Sequence, residues 1–150
     1  MEVPIRHTRI FRKENTAMQP SPELEDLIRQ LYDKEASGGL FDFAKHLYSR
    51  QEGVSVIGSE PNDRHEGYEA IIHFYEAAGA SGVEIKADEL KAYCEGAFGW
   101  VVDHVTAKLP NGIEIPVRHT YIFHREDDAW KIVHAHISVG VTDESLGVEG

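Results

Sequence analysis

The sequence predicts one α+β domain, and three observations carry that reading. Apolar residues recur at helical spacing as far as Tyr75, a period of two takes over from Val83, and turn residues separate the alternating runs. Helices followed by an antiparallel meander pack most simply with the helices on one face of a single sheet. A length of 150 residues, 41% of them hydrophobic, suits one domain with a core of its own.

Residues 1–20 read as an N-terminal extension. Within it, residues 3–14 (VPIRHTRIFRKE) match residues 115–126 (IPVRHTYIFHRE) at seven of twelve positions. They are either an extra strand at the sheet edge or a chance echo, and Asn15 to Pro20 reads as a linker. The domain proper runs from 21 to 141. Ser21-Pro22-Glu23 opens its first helix, over 22–37: Ser21 can accept from a free helix N–H, Pro22 has the right φ for the first turn, and Glu23 suits the positive helix end. Leu24, Leu27, Ile28 and Leu31 form its apolar stripe, and Gly38-Gly39 stops it. A second helix over 40–49 buries Leu40, Phe43, Ala44 and Leu47. A short strand from Val54 to Ile57 and a polar loop, Gly58–Glu66, lead to a third helix over 67–78 with Ile71, Ile72 and Tyr75 on one face. Four strands follow, over 83–94, 97–109, 115–125 and 130–141. Their joints are Glu95-Gly96, Asn111-Gly112 and Glu126-Asp127-Asp128, and Asn-Gly between alternating runs is a strong hairpin signal. Residues 142–150 read as a flexible acidic tail.

Charge and cysteine usage narrow the function. Fifteen basic against 26 acidic residues leave a formal charge of −11, which argues against nucleic acid, whose binding rests on Lys and Arg neutralising phosphates. The single cysteine, Cys94, cannot form an intrachain disulfide and reads as inert packing, in keeping with a cytoplasmic protein. MEVPIRHTRIF lacks the pattern of a signal peptide, and no apolar run approaches the roughly 20 residues of a membrane helix. Glycine-rich phosphate loops and G-x-S-x-G are absent, so nucleotide chemistry and serine hydrolysis find no support.

Strand alternation then separates two faces. On 97–109 the odd positions are apolar or small except Asp103, and on 115–125 they are Val117, His119, Tyr121 and Phe123. The odd positions of the last strand are Val133, Ala135, Ile137 and Val139. These odd faces are the ones helices cover, so Asp103 and His119 are the ionisable side chains on an otherwise apolar surface. A carboxylate there must be paired, protonated or open to water. Neighbouring strands would make Asp103 and His119 a cross-strand pair, either an acid/base site in a cleft or a purely structural hydrogen bond. The even face carries Trp100, His104, His124, Trp130, His134 and His136. His134-x-His136 points two imidazoles one way, as a metal site needs, but no third or fourth ligand, CxxC or HExxH accompanies them. A subunit interface is the better reading of this mixed face, so the expectation is a homodimer and no metal. Tyr32, Tyr48, Tyr68 and Tyr75 lie on helix faces near the core, as packing residues or at a pocket mouth.

The element order, with the closing segment WKIVHAHISVG (Trp130–Gly140), resembles the SnoaL-like branch of the nuclear transport factor 2-like superfamily over about 22–141. Residues 119–140 look similar to the association domain of calcium/calmodulin-dependent kinases, and Gly58–Tyr75 resembles the corresponding part of ketosteroid isomerases. The resemblance implies a cone-shaped α+β barrel, a curved antiparallel sheet whose concave face the three helices cover, and a homodimer through the outer sheet face. Carried over residue by residue, the isomerase base falls on Ser55, which is no carboxylate. The isomerase first-helix tyrosine falls near Leu31, beside Tyr32, and the proton-donating aspartate falls on His119. The pocket arginines of the kinase domains fall on Asp103, Tyr121 and Ile137, so their anion site is not inherited. SnoaL resembles a polyketide cyclase with an aspartate base, to which Asp103 is closest in kind. The combined expectation is a small, largely apolar ligand, with Asp103 and His119 as catalytic groups and Tyr32, Tyr121, Phe123 and Ile137 contacting the substrate. Trp100, His104, His134 and His136 would form the interface. No cofactor is expected, and isomerase, cyclase or dehydratase chemistry stands beside a non-catalytic binding or dimerisation module.

Overall fold

The computed structural model describes residues 2–11 and 17–148. Its elements are β1 (Gln19–Pro20), α1 (Pro22–Ser37), α2 (Leu40–Leu47), β2 (Ser55–Ile57), β3 (Arg64–Glu66), α3 (Tyr68–Gly79), β4 (Glu84–Glu95), β5 (Phe98–Lys108), β6 (Glu114–Glu126) and β7 (Ala129–Val139), with a 3₁₀ turn at Glu144–Leu146. The cap of α1 forms as its sequence implies. Ser21 accepts from the Leu24 N–H at 3.3 Å, and Gly38, at φ 86°, closes the last turn by donating to the Lys34 carbonyl. Leu24, Ile28, Leu31 and Tyr32 are buried against the sheet.

The sheet is curved, unclosed and seven-stranded, in the order β1-β4-β5-β6-β7-β2-β3. The β4–β7 meander is antiparallel. The β6–β7 hairpin turns on Asp127 and Asp128, whose φ values of 49° and 63° suit a two-residue turn with both residues left-handed. The Asn111-Gly112 joint is a longer loop instead, in which Leu109 and Ile113 still pair and Gly112 alone has positive φ.

Four features depart from the sequence reading. First, β2 joins β7 in parallel, so the sheet is mixed and not wholly antiparallel. Secondly, part of the polar 58–66 loop returns as β3 on the sheet edge, where backbone pairing suffices without apolar side chains. Gly58 permits the reversal: a Cβ there would lie 2.6 Å from the Asp63 side chain. Thirdly, the edge strand beside β4 is Gln19–Pro20, within the expected linker, while residues 3–11 form no strand. The rest of the 3–14 echo, like Asn15 and Thr16 of the linker, lies outside the described residues. Fourthly, Ile122 pairs with His134 but Phe123 pairs with Ile132, so Val133 is an extra residue that reverses the alternation of β7. Trp130 and Ile132 therefore face the core, not the outer surface. Among the described residues of the tail, 142–148 are exposed and carry the 3₁₀ turn.

The helices cover one face of this sheet, and the core between them holds Leu24, Ile28, Tyr48, Ile71, Val101, Phe123 and Ile132. Among the described residues, no helix is long and apolar enough to cross a membrane.

Candidate functional site

Asp103 on β5 stands directly opposite His119 on β6. Both side chains point to the helix-covered face, as the parity of their strands requires, and the Asp103 side chain is fully enclosed. Three donors meet its carboxylate. The His119 backbone N–H donates to Oδ1 at 2.9 Å, His119 Nδ1 lies 2.8 Å from the same oxygen, and the Tyr32 hydroxyl donates to Oδ2. A carboxylate so satisfied can remain inside an apolar fold, and it engages His119 Nδ1, which also lies 3.1 Å from the Tyr32 hydroxyl, while Nε2 has no partner among the described residues.

Tyr32 enters from α1, where it follows the core residue Leu31. Because its proton goes to Asp103, its 3.1 Å contact with the Tyr121 hydroxyl is a hydrogen bond only if Tyr121 donates. The order is thus Tyr121 to Tyr32 to Asp103. Burial, then the neighbouring Asp103 charge, pushes the Tyr32 phenol well above its usual range; burial, then Tyr32, does the same to Tyr121. Both hydroxyls keep their protons. The His119 ring stacks on Tyr121 at 5.5 Å between centroids, with 16° between planes.

A cavity of about 410 Å³ opens between the helices and the sheet. His119, Tyr32, Tyr121 and Ile137 line it, so four of the expected site residues converge there. Asp103 does not line it and stands behind His119. Phe123 is also missing from the wall, against expectation. It pairs across from Gly99, onto which Leu24 packs so closely that a Cβ would lie 2.3 Å from the leucine, and it is consumed in that core contact.

Two further cavity residues stand out, one left open between packing and a pocket mouth by the sequence and one missed by it. Tyr75 of α3 lines the wall, and its hydroxyl lies 2.7 Å from that of Tyr48. Among the described residues neither hydroxyl has another partner, so one donates to the other, and when Tyr48 is the donor the Tyr75 proton can turn to the cavity. Glu35 of α1 is the second. It lies four residues after Leu31, on the buried stripe, and burial pushes its carboxyl up to about 7. A charged residue at an apolar helix position was the signal that would have found it.

On the opposite face, Trp100 stacks on Tyr93, and His104 is exposed. His134 and His136 are half-buried because the N-terminal segment crosses them: Thr8 Oγ1 lies 3.2 Å from His134 Nε2 and 2.7 Å from His136 Nδ1. His134 also pairs with Ser55 Oγ at 2.8 Å. Arg6 of the same segment donates to the Gly58 carbonyl. Burial lowers the pKa of both histidines, with Arg6 adding to the effect at His136. Among the described residues, no group of three or more His, Cys, Asp or Glu side chains is placed to hold a metal.

Residues 24–142 match a family model described as the SnoaL-like domain. No curated protein matches the sequence. Among solved structures, a nuclear transport factor 2-like protein of unknown function from Pseudomonas putida KT2440 superposes with a TM-score of 0.67 at 15% identity, covering 85% of this chain and 94% of that one. A candidate calcium/calmodulin-dependent protein kinase II association domain from Xanthomonas campestris superposes with a TM-score of 0.67 at 17% identity, over 79% and 86% of the two chains. A candidate dehydratase of the nuclear transport factor 2-like family from Streptomyces avermitilis gives 0.68 at 16% identity, over 80% and 95%. At such identities the likeness is one of fold.

Proposed function

Because the chain belongs to the SnoaL-like domain family, we propose that its cavity binds a small, largely apolar molecule and moves a proton on it, as isomerases, dehydratases and cyclases do. The observation that carries this reading is the Asp103-oriented His119 on the wall of a cavity lined mostly by apolar and aromatic side chains. Asp103 is a positioning residue: it fixes the tautomer of His119 and offsets the imidazolium that forms. His119 Nε2 takes the proton from the carbon beside a carbonyl, and the electron pair moves onto the carbonyl oxygen. Tyr75, whose hydroxyl can accept from Tyr48 and turn its own proton to the cavity, is the donor that steadies that oxygen, since the Tyr121 proton is already spent on Tyr32. Returning the proton at another carbon isomerises the molecule, and loss of a β-hydroxyl as water dehydrates it. The resemblance to a candidate dehydratase fits the second outcome.

The test is proton exchange. Wild type is incubated with a panel of small cyclic ketones in deuterium oxide, and loss of the α-proton signal is followed by NMR. His119→Gln should abolish exchange while ketone binding persists. A wild type without exchange, or a variant exchanging at the wild-type rate, refutes the proposal.

A separate observation favours dimerisation through the outer sheet face. Phe98 and Val102 are 53% and 41% exposed beside Trp100 and His104, a mixed apolar patch that Arg9, Ile10 and Phe11 of the N-terminal segment border at Phe98 and Trp100. The dimer would use this half of the face, because Thr8 already occupies His134 and His136. Val102→Glu should shift sedimentation from dimer to monomer, and a wild-type monomer at micromolar concentration rules the dimer out.

A further inference from the structure

The proton-transfer scheme leaves Glu35 unused, although it lines the same cavity as His119 and Tyr75. Its setting differs from that of Asp103 in one decisive respect. Asp103 receives three donors, whereas the Glu35 carboxyl has no hydrogen-bond donor or cation against it among the described residues. Burial is the cause of its raised pKa; the phenol of Tyr75 is likewise raised, chiefly by burial, with the Glu35 charge adding to it. Glu60 and Asp63 add two more carboxyls from the loop between β2 and β3, and among the described residues no lysine or arginine lines the cavity. The remaining wall presents the rings of Tyr32, Phe74, Tyr75 and Tyr121.

Each property selects on charge. An uncompensated carboxyl in an apolar wall is costly to ionise and recovers that cost when a cation pairs with it. Aromatic rings attract a cation through their π faces. An anion entering the same space meets three carboxyls and, among the described residues, no lysine or arginine. Resting on the reading of the cavity as a binding site, we propose that its ligand is a small apolar molecule carrying one amine, whose ammonium pairs with Glu35 against the aromatic wall.

Three probes of matched shape test this in the full chain by calorimetry near neutral pH and at low salt: phenylpropylamine, phenylpropanol and phenylpropanoate. The amine should bind roughly tenfold more tightly than the alcohol, as one charge-assisted pair implies, and the carboxylate should not bind. Glu35→Gln should bring the amine down to the affinity of the alcohol and leave the alcohol unchanged. The wild-type ranking needs no variant, so it holds even if the substitution misfolds. Equal binding of alcohol and amine, tightest binding of the carboxylate, or an amine preference that survives in Glu35→Gln overturns the inference while the cavity reading stands. Failure of all three probes to bind overturns the cavity reading itself.

Discussion

Glu35 supplies a prediction whose magnitude follows from its place in the fold. A glutamate titrates near 4.5 when exposed, and in the cavity wall its carboxyl titrates at about 7. The folded state therefore holds this proton more firmly than the unfolded chain does. Below pH 4.5 both states are protonated and the group is neutral with respect to stability. As the pH rises through 7 the unfolded chain has already released the proton, and the folded state must ionise a carboxyl without a partner. The stability relative to acid pH therefore falls across this window, and the shift corresponds to about 3 kcal/mol at most. Glu35 is half-buried, so water takes up part of this and about 2 kcal/mol is the figure to look for. Glu35→Gln keeps the shape and carries no charge at any pH, so it should lose none of that stability. Urea denaturation of both proteins at about pH 5 and about pH 8, followed by tryptophan fluorescence, gives the comparison. The variant should gain on the wild type by about 2 kcal/mol between the two conditions. Parallel profiles, with a constant difference between the proteins, would refute the argument that the carboxyl is desolvated and unpaired.

Other consequences are as direct. Asp103→Asn should destabilise the fold by about 1–3 kcal/mol, because one of its three donors then faces an amide N–H in a closed space, and ketone exchange should fall with it; unchanged urea midpoint and exchange would remove its positioning role. The N-terminal segment should loosen as pH falls, since His134 and His136 are held neutral below their usual range and their protonation sets two cations beside Arg6 and Arg118. Amide exchange of residues 5–10, corrected for intrinsic rates, should rise between about pH 7 and about pH 5, and Thr8→Val should show the rise already at the higher pH. Gly58→Ala should cost about 1–3 kcal/mol by forcing a Cβ against the Asp63 side chain at 2.6 Å, measured as a lower urea midpoint.

The legible parts of this fold are those governed by local rules. The α1 cap and stop are written in Ser21-Pro22 and Gly38-Gly39, and the β6–β7 turn in Asp127-Asp128. Strand parity was enough to bring Asp103 and His119 face to face, because β5 and β6 pair without a bulge between them. Parity failed on β7, where the extra Val133 turns Trp130 and Ile132 inward, and no residue type announces a bulge. The β3 edge strand and the parallel β2–β7 pair rest on backbone contacts between distant segments, which side-chain periodicity does not encode. The course of the N-terminal segment over His134 and His136 depends on single hydrogen bonds from Arg6 and Thr8, and its likeness to 115–126 left open an edge strand that residues 3–11 do not form.

The two inward carboxyls show why position on a face does not settle a chemical role. Strand parity singled out Asp103 as the acid on the apolar side, and helical periodicity, had it been carried one turn further, would have singled out Glu35 as well. What separates them is the supply of donors. Asp103 sits on a central strand, where the neighbouring strand offers a backbone N–H and an imidazole and the helix offers a phenol. These contacts satisfy it and close it off from the cavity, so it acts only through His119. Glu35 projects from the last turns of α1, beyond reach of the sheet donors, into a space walled by rings and aliphatic side chains. Among the described residues no donor satisfies it, and a group left in that condition at a cavity wall is one that the proposed ammonium would complete. Proton transfer at His119 and charge selection at Glu35 are in this view two consequences of one arrangement, in which the sheet and Tyr32 supply donors to Asp103 while none reaches Glu35.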